Sequence, residues 1–286
     1  MQISLQELSN VKGIGKKTIQ RIREYKLKEE GYISEYDKEI HLNENTINLG
    51  DCLELMNGIP DKSIDMLLAD LPYNVTQNDW DSVIHLDKLW LQYERIIKDN
   101  GVIVLTSSQK FTTKLINSNT NLFRYDLIWY KPLGTGFLNA NRMPMRNHEH
   151  ILIFYKELPT YNPQFGVGKR KKGKRKRDRT GDCYGDLNNE SEEQLYYDDK
   201  GKRFPKSVIE ISNGDRTKEN DHPTQKPVKL FEYLIKTYTN EGDLVLDNVS
   251  GSGTTAVACI NTNRNYICIE QNEEYYKLSK ERVNNL

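Results

Sequence analysis

The stretch Asp70-Leu71-Pro72-Tyr73 combines groups that suit a flat, amine-bearing ring. The Asp70 carboxylate and the Leu71 carbonyl, which precedes a proline, can each accept a hydrogen bond from an amine. The Tyr73 ring can stack on a heterocycle. Four such residues alone are more typical of an ordinary strand that ends in a proline turn. The interpretation therefore depends on groups elsewhere in the chain.

A second candidate site lies near the end of the chain. Asp247 precedes a glycine-rich turn, residues 248–253 (NVSGSG), and Glu270 lies 23 positions after Asp247. Glycines let a backbone approach a ligand closely, and a helix N-terminus beyond them is electropositive. An acid at the end of the following strand can accept both hydroxyls of a ribose. This pattern predicts a nucleoside-binding half. It is not a P-loop, because Thr254 stands where lysine is required, and it lacks the full dinucleotide fingerprint.

Both candidate sites require buried strands to position them. Apolar runs at residues 46–50, 64–69, 102–105, 243–247 and 266–269 alternate with helical patterns at 83–98, 107–116, 228–238, 254–260 and 272–286. This alternation predicts an α/β protein with a doubly wound, mostly parallel Rossmann-like sheet, whose ligands bind at the carboxyl ends of the strands. Two further strands are predicted at 124–131 and 149–156, with a loop over 132–146. Asn100-Gly101 is predicted to end the helix at 83–98.

The bulk composition places few limits on function. The chain has 286 residues, 41 basic and 41 acidic, and 36% hydrophobic residues, enough for a core. No apolar run is long enough to span a membrane and no signal-peptide pattern is present, so we expect a soluble, cytoplasmic protein with no membrane partner. The four cysteines are dispersed, which favours reduced thiols and gives no support for a metal site.

Two basic segments are candidates for binding DNA phosphates. Residues 11–17 (VKGIGKK) resemble a helix-hairpin-helix element, with Lys12, Lys16 and Lys17 around two glycines. Residues 169–179 (KRKKGKRKRDR) hold nine basic residues and one acidic residue. The candidates in this second segment are Lys169, Arg170, Lys171, Lys172, Lys174 and Arg175. The alternative for residues 11–17 is a plain helix-turn-helix cap. The alternative for residues 169–179 is a disordered, solvated loop.

The order of three motifs resembles the amino-group DNA methyltransferases of the β arrangement. The tetrad at residues 70–73 matches their D/S/N-P-P-Y motif, residues 222–227 (HPTQKP) match the motif after their target-recognition insertion, and residues 247–255 (DNVSGSGTT) match their cofactor loop. The resemblance spans about residues 47–284. Leu71 departs from it by replacing a proline, and Asn248-Val249 replaces the usual Pro-Phe or Pro-Met pair.

The resemblance implies a division of the chain. Residues 1–25 form the helix-hairpin-helix-like appendage and 26–45 a linker. Residues 46–156 form the catalytic half, 157–215 a target-recognition insertion with the basic run, and 216–286 the S-adenosylmethionine-binding half. DNA sequence specificity is expected to lie in residues 157–215 and 132–146.

The resemblance also implies the chemistry. S-adenosylmethionine is the expected methyl donor. The expected acceptor is the exocyclic N6 of an adenine that is flipped out of duplex DNA. Asp70, Leu71, Pro72 and Tyr73 are the expected catalytic residues. The cofactor contacts are expected from Asp51, Thr224, Lys226, Asp247, Ser250, Gly251, Gly253, Thr254 and Glu270, although Asp51 is equally typical of a plain turn. Relatives are often homodimers and accompany a restriction endonuclease, and both partners are options here.

Three alternatives remain open. Cytosine-N4 enzymes of this family more often have serine at the first tetrad position, so Asp70 favours adenine without deciding the base. Methyltransferases of RNA or protein glutamine usually have their N-P-P-Y motif after the cofactor loop, which is the reverse of the order here. A non-catalytic DNA-binding protein would use the hairpin and the basic run. The intact Asp70, Tyr73, glycine loop and Glu270 argue against it.

Overall fold

The structure is a computed structural model that describes residues 42–72, 84–175, 195–213 and 225–286, with side chains at 174–175 and 195–198 left undescribed. Several predictions fall outside these residues. They are the N-terminal appendage with Lys12, Lys16 and Lys17, the stacking residue Tyr73, and the cofactor candidate Thr224.

A central eight-stranded sheet organises the larger of two compact units, Met1–Asn162 with Ser207–Leu286. Its strands are β1 (Thr46–Leu49), β2 (Ile64–Ala69), β3 (Ile97–Ser107), β4 (Phe123–Thr135), β5 (Arg146–Tyr155), β10 (Val208–Glu210), β11 (Leu244–Asp247) and β12 (Asn265–Glu270). They lie in the order β1-β12-β11-β2-β3-β5-β4-β10. Only the pairings of β5 with β3 and with β4 are antiparallel. The predicted mostly parallel α/β sheet is confirmed.

Helices cover both faces of this sheet. They are α1 (Cys52–Leu55), α2 (Leu86–Ile96), α3 (Lys110–Ser118), α4 (Val228–Tyr238), α5 (Thr254–Asn261) and α6 (Glu273–Asn284). Successive β2 residues point to opposite faces, as strand geometry requires. Leu67 packs in the cluster that contains Trp90 of α2, whereas Leu68 packs in the cluster that contains Leu234 of α4.

The helix predicted at 83–98 ends earlier than its sequence indicated. We expected Asn100-Gly101 to terminate it, but α2 ends at Ile96 and both residues lie within β3. A Cβ atom at Gly101 would lie 2.7 Å from Cγ1 of Ile97 and 3.0 Å from the carbonyl of Asp65. Gly101 therefore permits close strand packing beside the register shift between Ile64 and Met66, and does not cap a helix.

The hairpin formed by β4 and β5 is longer than predicted. Strand β4 continues through Pro132 to Thr135, which pairs with Arg146 at the start of β5. The ladder shifts register between Tyr130 and Thr135, so the proline sits where regular pairing is interrupted. The predicted loop at 132–146 therefore shortens to residues 136–145.

A smaller compact unit comprises Pro163–Lys206. It contains two antiparallel ladders, β6 (Gly166–Val167) with β9 (Lys202–Arg203) and β7 (Lys172–Arg175) with β8 (Leu195–Asp198). The Asp199 carboxylate accepts hydrogen bonds from the backbone N–H groups of Lys171 (2.7 Å) and Gly201 (2.9 Å), and these contacts lower its pKa. Across the described residues of both units, every helix is too short or too polar to cross a lipid bilayer.

Candidate active site

The two segments that the sequence singled out meet at one edge of the sheet. Strands β2 and β11 are parallel neighbours, with Met66 beside Val245 and Leu67 beside Leu246. Asp70 follows β2 and Asp247 ends β11, so both emerge at the carboxyl edge, where α/β sheets bind ligands. Burial raises the pKa of Asp247 to about 7, and the negative charge of Asp70 contributes to that shift.

Two side chains from distant parts of the chain hold the Asp70 carboxylate. The Oγ1 of Thr106 donates to Oδ1, and the Nζ of Lys226 donates to Oδ2 at 2.5 Å. Thr106 is fully buried in β3, next to Leu105, the partner of Ala69 in the ladder. Thr106 was not among the predicted site residues. Its signal was a hydroxyl directly after the buried run at 102–105.

Lys226 is the centre of a chain of alternating charges whose two lysines are buried. Its Nζ also lies 3.4 Å from Oε2 of Glu149, whose Oε1 accepts from Nζ of Lys131. Burial alone would lower the pKa of Lys226, but the carboxylates of Asp70 and Glu149 outweigh that effect and raise it. The sequence predicted Lys226 as a cofactor contact, and the structure directs its ammonium group to the catalytic candidate. Glu149 and Lys131 were not predicted.

The glycine loop is held in place by two acids, Asp247 directly before it and Glu270 at the end of β12. The backbone N–H of Gly251 donates to Oε2 of Glu270 at 2.7 Å. Asp247 accepts from the hydroxyl of Thr255 and, at 3.1 Å, from the backbone N–H of Val249. Gly251 (φ 51°) and Gly253 (φ 78°) adopt the left-handed conformation that suits glycine. The two acids thus hold the backbone of the loop through hydrogen bonds from Gly251 and Val249. Burial raises the pKa of Glu270.

The loop also carries two buried polar side-chain atoms. Within the described part of the chain, Nδ2 of Asn248 and Oγ of Ser250 are buried and have no hydrogen-bond partner. The Tyr93 hydroxyl donates to Oδ1 of Asn248 at 2.6 Å, which fixes that amide. Buried polar groups are normally paired. The donors, the glycine loop and the Glu270 carboxylate therefore fit a cofactor with hydroxyl, amino and carboxylate groups, such as S-adenosylmethionine.

The remaining cofactor candidates lie at the same edge but make structural contacts. Asp51 caps α1, since its Oδ1 accepts from the backbone N–H groups of Leu53 (2.7 Å) and Glu54 (3.3 Å). Thr254 begins α5, and its hydroxyl lies 3.5 Å from the carbonyl oxygen of Lys226.

Two further predicted catalytic residues, Leu71 and Pro72, directly follow Asp70 in the chain, and Leu71 is buried.

The basic candidates are exposed residues of the smaller unit. Lys169, Arg170, Lys171 and Lys172 all have exposed side chains. Lys174 and Arg175 lie in β7, where only the backbone is described. DNA binding by these residues stays a prediction.

Fold and site together define a Rossmann-like protein that presents a carboxylate at the same sheet edge as a glycine-rich loop. The profile of the N6/N4 DNA methylase family matches residues 64–281. The chain belongs to this family of S-adenosylmethionine-dependent DNA methyltransferases. The resemblance inferred from the three motifs is confirmed.

Individual relatives agree with this assignment. The type II methyltransferase M2.MboI of Moraxella bovis is 29% identical, over 83% of this chain and 86% of its own. The DNA adenine methyltransferase YhdJ of Escherichia coli K12 is 27% identical, over 83% and 82%. The PvuII cytosine-N4-specific DNA methyltransferase has the same fold, with a TM-score of 0.62, 19% identity and coverage of 86% and 89%. The M1.HpyAVI–SAM complex gives a TM-score of 0.57, 22% identity and coverage of 84% and 98%.

Proposed function

We propose that this methyltransferase acts on the exocyclic N6 of an adenine that is extruded from duplex DNA. The observation that carries the proposal is the position of the Asp70 carboxylate, at the same sheet edge as Asp247 and the glycine loop. An aspartate at this position favours adenine over cytosine. The relative YhdJ is described as an adenine methyltransferase and PvuII as cytosine-N4-specific, so cytosine-N4 is the second candidate.

Asp70 would orient the amine that receives the methyl group. A carboxylate has about four acceptor positions, and Asp70 accepts from Thr106 and from Lys226. Hydrogen bonds from the amine to Asp70 and to the Leu71 carbonyl would draw its lone pair out of conjugation with the ring and aim it. Proximity and orientation supply much of the acceleration. The amine proton that is lost as the nitrogen–methyl bond forms would leave to Asp70 or to water.

The glycine loop would hold the donor against this acceptor. Bound S-adenosylmethionine supplies an electrophilic methyl group. Asn248 and Ser250 offer hydrogen-bonding groups, and Glu270 offers a carboxylate to the ribose hydroxyls. Asp247 and Gly251 fix the backbone between them. Tyr73 would stack on the extruded base.

The test is methyl transfer from labelled S-adenosylmethionine to plasmid DNA, followed by mapping of the modified base and its sequence context. We expect N6-methyladenine at one defined site. Label on cytosine N4 would select the second candidate, and label on RNA or protein but not DNA would reject the proposal.

The variant Asp70→Ala assigns the chemistry within that experiment. We expect it to abolish transfer while binding of S-adenosylmethionine stays within about threefold of wild type, because Asp70 faces the acceptor. Asp87→Ala, which removes an exposed acid in the first turn of α2, is the matched control and should remain active. An active Asp70→Ala variant would show that the catalytic assignment is wrong. The options of a homodimer and a companion endonuclease stay predictions.

A further inference from the structure

We propose that the tip of the β4–β5 hairpin inserts into DNA and supports the extruded base. The proposal concerns residues 133–145, here called the arm. It rests on the proposed base extrusion, and adds the protein surface that would occupy the duplex beside the target.

The arm projects beyond the edge of the sheet where Asp70 lies. Asp70 accepts a hydrogen bond from Thr106, which pairs with Ile151 of β5. The last residue of β5 that pairs with β3 is His150, and β5 begins four positions earlier, at Arg146. At about 3.3 Å per residue, the hairpin extends roughly 13 Å past this point. The arm is therefore on the side from which a DNA base would enter the site.

The tip of the arm has a defined backbone. Gly136 adopts a left-handed conformation (φ 93°), and a short 3-10 helix, Phe137–Asn139, follows it. The backbone N–H of Asn139 donates to the carbonyl of Gly136 at 2.9 Å, and that of Met143 donates to the carbonyl of Asn139 at 3.0 Å. A tip already held in one conformation loses little entropy when it inserts between bases.

Large apolar side chains on the arm face solvent. The exposed fractions are 68% for Leu133, 78% for Phe137, 97% for Leu138, 53% for Met143 and 40% for Met145. Single exposed apolar residues are ordinary, but five within thirteen residues mark a contact surface. Phenylalanine, leucine and methionine are the side chains that proteins insert between base steps.

The charge around the apolar tip identifies the partner. From Pro132 to His148 the chain contains two arginines, Arg142 and Arg146, and no acidic residue. The side chains of Arg142 and Arg146 are exposed. Apolar side chains flanked by cations complement stacked bases flanked by phosphates. The arm therefore fits duplex DNA, and Leu138, at its most exposed point, is placed to fill the gap that a departed base leaves.

The first test is the double variant Phe137→Ala/Leu138→Ala in the full chain, assayed on a duplex with the mapped methylation site. We expect kcat/KM for DNA to fall roughly tenfold or more, because the gap in the base stack is left unfilled. The dissociation constant for S-adenosylmethionine should not change. Leu158→Ala is the matched control, since Leu158 is 80% exposed but follows β5 at the opposite edge of the sheet. It should behave as wild type.

A mismatched duplex separates support of extrusion from simple docking. A mismatch at the target base lowers the cost of extrusion, so the loss in the arm variant should be smaller on the mismatch than on the perfect duplex. Equal losses on both, or no loss on either, would overturn the inference. So would a shift in oligomeric state, which would show that the arm contacts a second protein chain. A wild-type protein that methylates no DNA would instead refute the proposed function.

Discussion

The ammonium nitrogen of Lys226 lies 2.5 Å from Oδ2 of Asp70, although 156 positions separate the two residues in the chain. The contact joins the motif at 222–227 to the tetrad at 70–73. It indicates that one role of the motif at 222–227 is to hold Asp70, the catalytic candidate of the tetrad. We interpret Lys226 as a positioning residue that acts through Asp70.

This role predicts a split between catalysis and cofactor binding in Lys226→Met. The variant leaves Asp70 and Glu149 side by side without the cation that joins them, so the Asp70 carboxylate shifts. A displacement of about 1 Å in a catalytic group costs roughly 100-fold in rate. We expect kcat to fall by about that factor, measured by methyl transfer, and calorimetry to show little change in the affinity for S-adenosylmethionine.

The control for this variant is Lys98→Met. Lys98 donates to Asp65 at 2.6 Å, and Asp65 lies near the start of the same strand, β2, at the opposite edge of the sheet. Loss of this ion pair should leave kcat unchanged. If Lys226→Met weakened cofactor binding and left kcat intact, Lys226 would be the cofactor contact that the sequence first indicated.

A second prediction concerns the pH dependence of stability. Burial raises the pKa of Asp247 from 3.8 to about 7, so the folded state binds more protons than the unfolded state between these values. The resulting stabilisation is complete below about pH 4 and is lost as the pH rises towards 7. We expect the free energy of unfolding of the wild type to decline relative to Asp247→Asn across this window, by at most about 1.4 kcal/mol per pH unit.

Asp99 provides a comparison of opposite sign. Hydrogen bonds from Lys156 and Lys62 lower the pKa of this surface carboxyl to about 2. Its contribution is present above about pH 4 and is lost as the pH falls towards 2. Asp99→Asn should therefore be less stable than wild type above about pH 4, and the difference should disappear as the pH falls towards 2. Urea unfolding at a series of pH values measures both variants. Parallel curves for wild type and Asp247→Asn between pH 4 and 7 would refute the burial argument.

A third prediction concerns the Tyr93–Asn248 hydrogen bond. Tyr93→Phe removes the donor to Oδ1 of Asn248 and leaves that oxygen buried without its partner, which costs about 1–3 kcal/mol. We expect a corresponding loss in the free energy of unfolding. In the comparison variant Tyr125→Phe, the bond removed is the one to the hydroxyl of Tyr238. That bond is only partly buried, whereas the Tyr93–Asn248 bond is buried, so we expect a smaller loss. Equal losses in the two variants would contradict this assignment.

A fourth prediction concerns Gly253, the residue directly before α5. Gly253→Ala would place a Cβ atom 2.9 Å from Cβ of Ser279, in addition to the strain of a positive φ. Strain alone costs about 1–2 kcal/mol, and overpacking adds about 1–3 kcal/mol. Gly242→Ala is the matched control, because Gly242 has a similar φ (84°) but open space around it. Thermal unfolding should show a larger loss for Gly253→Ala, and equal losses would exclude the steric contribution.

Local patterns were sufficient to predict the site's two acids and its fold class. Asp70 and Asp247 each follow an apolar run, and a run that ends in an acid before a turn identifies the carboxyl end of a buried strand. The glycines at 251 and 253 could be predicted for the same reason, since a tight turn between strand and helix requires them. These features depend only on residues that are close together in the sequence.

The sequence by itself thus determined the carboxyl ends of β2 and β11, the glycine-rich loop and the order of motifs that identify the family. Only the tertiary structure decided which side chains surround Asp70 and where the arm points. Thr106, Glu149 and Lys131 belong to strands whose place in the sheet depends on how helices pack on both its faces, which no local pattern encodes. Because charges attract according to distance in space, Lys226 acquired its partner from the order of the strands, and that order exists only in the folded chain.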